Sequence, residues 1–188
     1  MALKNSVTGW GWLARLFHWA MAVIIIGLLC VGFYMANFVS DIFVQFGLTQ
    51  DHKSWGFVAF SLALLRVIWR FVNPTPALPD GMSGIERLAA HAGHYGLYAC
   101  MFVMPLSGWL MSSASTLQDT YGVKNMVFGA FELPDPFIPG SESLEAVFST
   151  IHFGAAILLV AILLGHAGAA LKHHFVNRDT VLMRMIRG

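Results

Sequence analysis

The sequence predicts an all-α protein, an integral membrane four-helix bundle, on three observations. The 188 residues are 57% apolar and only 11% charged, and their mean hydropathy of +0.66 is far from that of a soluble domain. Four apolar stretches of roughly the ~20 residues that a membrane-crossing helix needs lie at 16–38, 55–72, 91–111 and 147–171. The charges also segregate once those spans are drawn. Lys4, Arg15, Arg66, Arg70, Arg87, Lys172, Arg178, Arg184 and Arg187 fall on one side, and only Lys53 and Lys124 on the other. The positive-inside rule then puts both termini in the cytoplasm. Short connections make residues 1–188 a single domain. The first span is too long for a signal peptide and lacks a small-residue cleavage pattern behind it.

Taken in order, Trp10, Trp12 and Trp19 surround Arg15 at the start of the first span, the composition of a headgroup boundary. His18 follows just inside, and Gly27 and Gly32 further along admit close helix approach. A short outer loop, 39–51, delivers His52 to the outer end of the second span, with Trp55 as an interface anchor. That span ends through Arg66 and Arg70, spaced i, i+4 on one helical face. With Arg15 they are candidates for pairing an acidic cofactor group at the inner rim, against the simpler reading that they reach for headgroups. Asn73, Pro74, Pro76 and Pro79 break the chain, and Ser83 with Glu86 reads as a capping box that opens the third helix. His91 and His94 share a face there and either bind metal, sit at the interface or line a quinone pocket. Pro105 falls within the third span, and the long segment 112–143, with Pro134, Pro136 and Pro139, is expected to lie over the outer face.

Cys30 and Cys100 lie inside spans and belong to no C-x-x-C-H site, which excludes covalent haem attachment and argues against a disulfide.

The chemistry gathers on the fourth span. His152 and His166 are fourteen residues apart, so they fall about 40° apart on one face and are separated by about 21 Å along the axis. An imidazole in hydrocarbon is costly and calls for a partner. Following the chain direction, His18 and His166 lie near the inner face and His52 and His152 near the outer face. Each pair offers two trans-axial imidazoles, as a six-coordinate haem b requires. The small residues around them, Gly154, Ala155 and Ala156 and then Gly165, Ala167 and Gly168, leave room for a flat group. Zinc fits less well, because a structural zinc site takes four ligands and each level supplies two histidines. The competing reading is tight packing of small residues with hydrogen-bonded histidines.

The runs LFHW at 16–19, LLRVIWRFVNPTPALP at 64–79, LAAHAGHYGLY at 88–98, FGAFELP at 128–134 and GHAGAALKHHFVNRDTVLMRMI at 165–186 resemble the bacterial cytochrome b561 family over nearly the whole chain. The last run is the most specific part of the resemblance, since its histidine spacing and arginine–methionine ending recur in the superoxide oxidase branch, which oxidises superoxide to dioxygen and reduces ubiquinone. The resemblance implies a bacterial inner membrane location, one haem b on His18 and His166, a second on His52 and His152, and a quinone site near His173. His173 lies seven residues beyond His166, on nearly the same face and about 10 Å closer to the cytoplasm.

Two functions follow as expectations. In the first, the protein carries electrons from periplasmic superoxide to membrane quinone, with Lys53 and His173 as its catalytic residues. Superoxide is an anion, and its steering favours positive potential. The outer side carries seven acids, Asp41, Asp51, Asp119, Glu132, Asp135, Glu142 and Glu145, against Asp80, Glu86 and Asp179 inside. Lys53, beside His52, would have to supply a local cationic patch. In the second, the acidic outer face docks a basic periplasmic redox protein, such as a c-type cytochrome or dehydrogenase. Membrane lipid is a partner in both, and nucleic acid in neither.

Overall fold

The four apolar stretches become four long helices in a computed structural model that describes residues 2–79 and 81–188. Asp80, one of the inner acids of the sequence reading, lies outside the described residues. Helix α1 spans Trp12–Phe38, α2 Ile42–Phe71, α3 Gly84–Ser113 and α5 Glu142–Lys172, and the short α4 (Leu117–Tyr121) and α6 (Val181–Ile186) complete the helices. The only strands among the described residues are β1 (Met126–Val127) and β2 (Phe131–Glu132), an antiparallel pair in the α3–α5 connection. By length and composition α1, α2 and the segment Glu142–Asn177 qualify to cross a membrane. Helix α3 is as long as α2, but its histidines, glycines, serines and Pro105 make it less apolar.

Local chemistry accounts for most of the boundaries. Gly11 precedes α1 because a Cβ there would lie 2.4 Å from the Leu3 carbonyl, and its N–H donates to Asn5 Oδ1 at 3.0 Å. Helix α2 begins thirteen residues before the apolar stretch at 55–72, so the expected loop 39–51 is mostly helix. The reason is an N-cap. Asp41 Oδ1 accepts from the N–H groups of Phe43 and Val44 at 2.8 and 3.1 Å, and the polar Gln45, Thr49, Gln50 and Asp51 that follow are compatible with helix though not with an apolar signature. Helix α2 stops just before Pro74, which disfavours helical backbone at Asn73. The Ser83–Glu86 capping box forms in both directions: Ser83 N–H donates to Glu86 Oε2 at 2.9 Å, and Glu86 N–H donates to Ser83 Oγ at 3.3 Å. After α5 the chain tightens into one π-helical turn, His173–Asn177, closed by Arg178 in the left-handed region at φ 55°.

The chain packs as two compact units. One contains Met1–Ala22, Leu62–Ala99 and Leu158–Gly188, and the other Val23–Ser61 and Cys100–Ile157. In the first, Met21, Ala63 and Leu159 are buried, and α6 is tied to α1 by Arg15 Nη1 donating to the Ile186 carbonyl and Trp19 Nε1 donating to the Met185 carbonyl, both at 3.0 Å. Arg184 Nη1 also donates to the Ala77 carbonyl at 2.9 Å. In the second, Ser54, Ala59, Cys100, Met101 and Val127 are buried. Phe33, Ile157, Leu164 and many other large apolar side chains stay uncovered. Each would forgo about 1.5–3 kcal/mol in water, so hydrocarbon is the solvent this surface fits.

Candidate functional site

In the first unit, α1 brings His18 and α5 brings His166 to a ring-centroid separation of 6.1 Å. Arg66 of α2 stands beside them, with Nη2 3.4 Å from His18 Nδ1. Arg66 and Arg70, one turn apart, both lie over the ring of Tyr98 from α3, at 5.7 and 5.4 Å from its centroid. That clamp orients two guanidiniums by cation–π attraction. His94 of α3 joins the group, its ring 5.4 Å from that of His166. Arg15 is buried and holds the Ile186 carbonyl, so its visible work is to fasten the carboxyl-terminal segment.

In the second unit, His52 of α2 and His152 of α5 stand 6.4 Å apart. His152 is positioned by α3, because its Nδ1 lies 3.0 Å from the Met104 carbonyl and 3.1 Å from Ser107 Oγ. A carbonyl only accepts, so Nδ1 carries the proton and Nε2 keeps a free lone pair, the tautomer that a metal-binding imidazole needs. His52 Nδ1 is buried with no hydrogen-bond partner, which marks a site short of a partner. Glycine borders both rings. A Cβ on Gly32 would come 3.4 Å from His52 Cε1, and one on Gly108 would come 3.1 Å from His152 Cε1. The glycines of α5 differ, since a Cβ on Gly154, Gly165 or Gly168 would meet nothing within 4 Å.

The two spacings suit one chemistry. At a metal–imidazole bond of about 2 Å, two imidazoles on opposite sides of one iron place their ring centroids roughly 6 Å apart. The His18–His166 and His52–His152 distances match that value, whereas His94 stands too near His166 to oppose it across a metal. Among the described residues no three histidine, cysteine or carboxylate side chains gather as a site for a bare ion.

Lys53 is half-buried, not a free surface cation. Its Nζ donates to Ser112 Oγ at 3.2 Å and Asn125 Oδ1 at 3.0 Å, and Asn125 Nδ2 donates to Asp135 Oδ1 at 2.6 Å. The α3–α5 connection thus reaches α2, as Phe128 N–H donating to Ser54 Oγ at 2.9 Å also shows. His173 is 8% exposed, and its Nδ1–H donates to Asp179 Oδ2. Asn125, Gly108, Tyr98 and Asp179 escaped the sequence reading. The one available signal was Asp179, six residues beyond His173; the others become visible only when helices meet.

Burial works against the Asp179 carboxylate, but the Val181 N–H and the His173 imidazole hold its pKa below the ordinary 3.8. A depressed carboxylate contributes stability that is present above its unfolded pKa and lost as pH falls through the folded one. Amides 173–186 of Asp179→Asn are therefore expected to lose hydrogen-exchange protection at pH 7. Wild-type protein is expected to lose it only below pH 3.8. Equal protection at pH 7 would show that the contact carries no weight.

A family model for prokaryotic cytochrome b561 matches residues 9–188. Cytochrome b561 homolog 2 of Escherichia coli (strain K12) is 31% identical over 186 residues, 99% of this chain and 95% of that protein. Cytochrome b561 homolog 1 of the same organism is 26% identical over 137 residues, 73% of each chain. A probable superoxide oxidase CybB of Yersinia pestis is 26% identical over 139 residues, 72% of each. A match that runs from before the first helix to the last residue leaves one conclusion: the chain belongs to the prokaryotic cytochrome b561 family.

Proposed function

We propose that the protein carries two haems b, one on His18 and His166 and the other on His52 and His152, and oxidises superoxide while reducing ubiquinone. The observation that carries this reading is the spacing of the two imidazole pairs, 6.1 and 6.4 Å. Membership of the family supplies haem b and makes the chain a bacterial membrane protein. The balanced reaction is two superoxide anions, one quinone and two protons giving two dioxygen molecules and one quinol. The haems supply one-electron carriage, which matches a one-electron donor to a two-electron acceptor.

The protein's own groups have definable tasks. Met104 and Ser107 hold the His152 tautomer. Arg66 can only donate, so its contact with His18 Nδ1 makes that nitrogen an acceptor. Ligation through Nε2 shifts the proton to Nδ1, and Arg66 then gives up this contact and is available, with Arg70, to an acidic group of the haem. The basic majority on the side of the termini supports a cytoplasmic location for both ends and for the His18–His166 pair.

The relative named as a probable superoxide oxidase supports superoxide as donor. A second reading, a basic periplasmic redox protein as donor, is favoured by the state of Lys53, whose charge is offset through Asn125 by Asp135. Stopped-flow mixing of the oxidised protein with pulsed superoxide separates them. Haem reduction is expected at a rate that falls with salt, as charges more than about 8 Å apart are screened at physiological ionic strength, and is expected to slow severalfold in Lys53→Gln. Absence of reduction by superoxide, with rapid reduction by a reduced c-type cytochrome, would establish the second reading.

A further inference from the structure

The two imidazoles of the second unit are not held alike. The His152 ring is fixed from α3 in two ways: Nδ1 lies 3.0 Å from the Met104 carbonyl and 3.1 Å from Ser107 Oγ, and a Cβ on Gly108 would already press within 3.1 Å of Cε1. The His52 ring has neither support. Among the described residues its Nδ1 has no hydrogen-bond partner although the atom is buried, and a Cβ on Gly32 of α1 would come only to 3.4 Å of Cε1, an ordinary contact.

Burial also selects the ligating nitrogen of His52. Nδ1 is shut in, with no open space against it for a metal, so ligation falls to Nε2 and leaves on Nδ1 a proton that nothing accepts. An imidazole whose remote N–H is accepted by a carbonyl is the more basic and better oriented ligand, and loss of such a partner weakens a metal site about 10–100-fold. His152 has that partner and His52 lacks it. We infer that His52 is the exchangeable ligand of the haem on the His52–His152 pair, and that the reduced site takes a small neutral diatomic of the carbon monoxide class on its His52 face. The inference rests on the two-haem reading above and ranks the two ligands of one of its sites.

The exchange is reversible and local. The bond from iron to His52 Nε2 breaks, a bond from iron to the incoming atom forms, and no electron or proton is transferred. The released ring stays in the site, where Gly32 sets no side chain against it. Release of His152 in its place would break the contacts of Nδ1 with both Met104 and Ser107.

The test uses His166→Ala protein in lipid nanodiscs, which keeps only the haem on His52 and His152, reduced with dithionite and titrated with carbon monoxide. Saturable formation of a carbonyl spectrum is expected. Flash photolysis of that adduct leaves iron for an instant with the retained imidazole alone, and the iron–histidine stretching band in the resonance Raman spectrum reports the hydrogen bond at that ring's Nδ1. Adding Ser107→Ala is expected to shift the band, because the Ser107 hydroxyl is a partner of His152. Adding Gly32→Ser, which sets a hydroxyl beside the His52 ring, is expected to lower carbon monoxide affinity about tenfold, the low end of the range for such a partner. Low-spin spectra before carbon monoxide is added check that each variant starts with both ligands in place. No adduct at saturating carbon monoxide, a band that Ser107→Ala leaves where it was, or unchanged affinity in Gly32→Ser would each overturn the inference while the two-haem reading stands. A His166→Ala protein that retains no haem would sink the inference together with that reading.

Discussion

His152→Ala and His166→Ala will each lower the haem b recovered from about two per chain to about one, and the haem that each spares will be a different one. The His18–His166 and His52–His152 ring pairs belong to separate packing units, so loss of one imidazole leaves the other pair with its supports intact. His52→Ala is expected to reproduce the residual spectrum and midpoint potential of His152→Ala, and His18→Ala those of His166→Ala. His94 is the one imidazole placed to interfere, but at 5.4 Å from His166 it is too close to take the opposite axial position without a shift of α3. Pyridine haemochrome quantification against protein mass, with a redox titration of each variant, makes the measurement. Identical residual spectra for His18→Ala and His52→Ala would disprove the pairing, and about one haem per wild-type chain would remove its premise.

Gly108→Leu is expected to cost the protein the same haem as His152→Ala without touching a histidine. A Cβ at residue 108 would already lie 3.1 Å from His152 Cε1 and 3.3 Å from its Nδ1, and a leucine adds three more carbons in the same direction. The ring must turn, and turning breaks the contacts of Nδ1 with the Met104 carbonyl and Ser107 Oγ. Overpacking costs about 1–3 kcal/mol and each of the two lost contacts about 1 kcal/mol, which together weaken haem retention by a factor of roughly 100 or more. Gly108→Ala requires only a few tenths of an ångström of adjustment and is expected to keep the haem with a shifted potential. Gly154→Ala, two residues from His152 on α5 and facing open space, is the control and is expected to bind haem as wild type does. Full haem content in Gly108→Leu would mean that the ring is not held as the structure holds it.

Elements whose cause is local are legible along the chain. Apolar length marked α1, α3 and α5; the helical phase and direction of the spans matched His18 with His166 and His52 with His152; and Ser83 with Glu86 announced the start of α3. These features depend on period, chain direction and neighbours within one helical turn, so they can be read along a line. Features that depend on groups far apart in the chain emerge only when the helices pack. The start of α2 at Ile42 is the exception, a local cause that hydropathy does not register, since the Asp41 carboxylate caps a polar stretch. Lys53, read as a cation open to an anionic substrate, is instead bonded to Ser112 and Asn125, 59 and 72 residues away. The small residue that matters at His152 is Gly108 on another helix, because a glycine's value is set by what approaches it. His173 carries the helical phase of His166 to the end of α5, where the π-helical turn begins, and there Asp179 takes its ring nitrogen. Phase and burial of an isolated helix can be derived from its own residues, whereas the partner of a buried polar atom is a property of the packing that surrounds it.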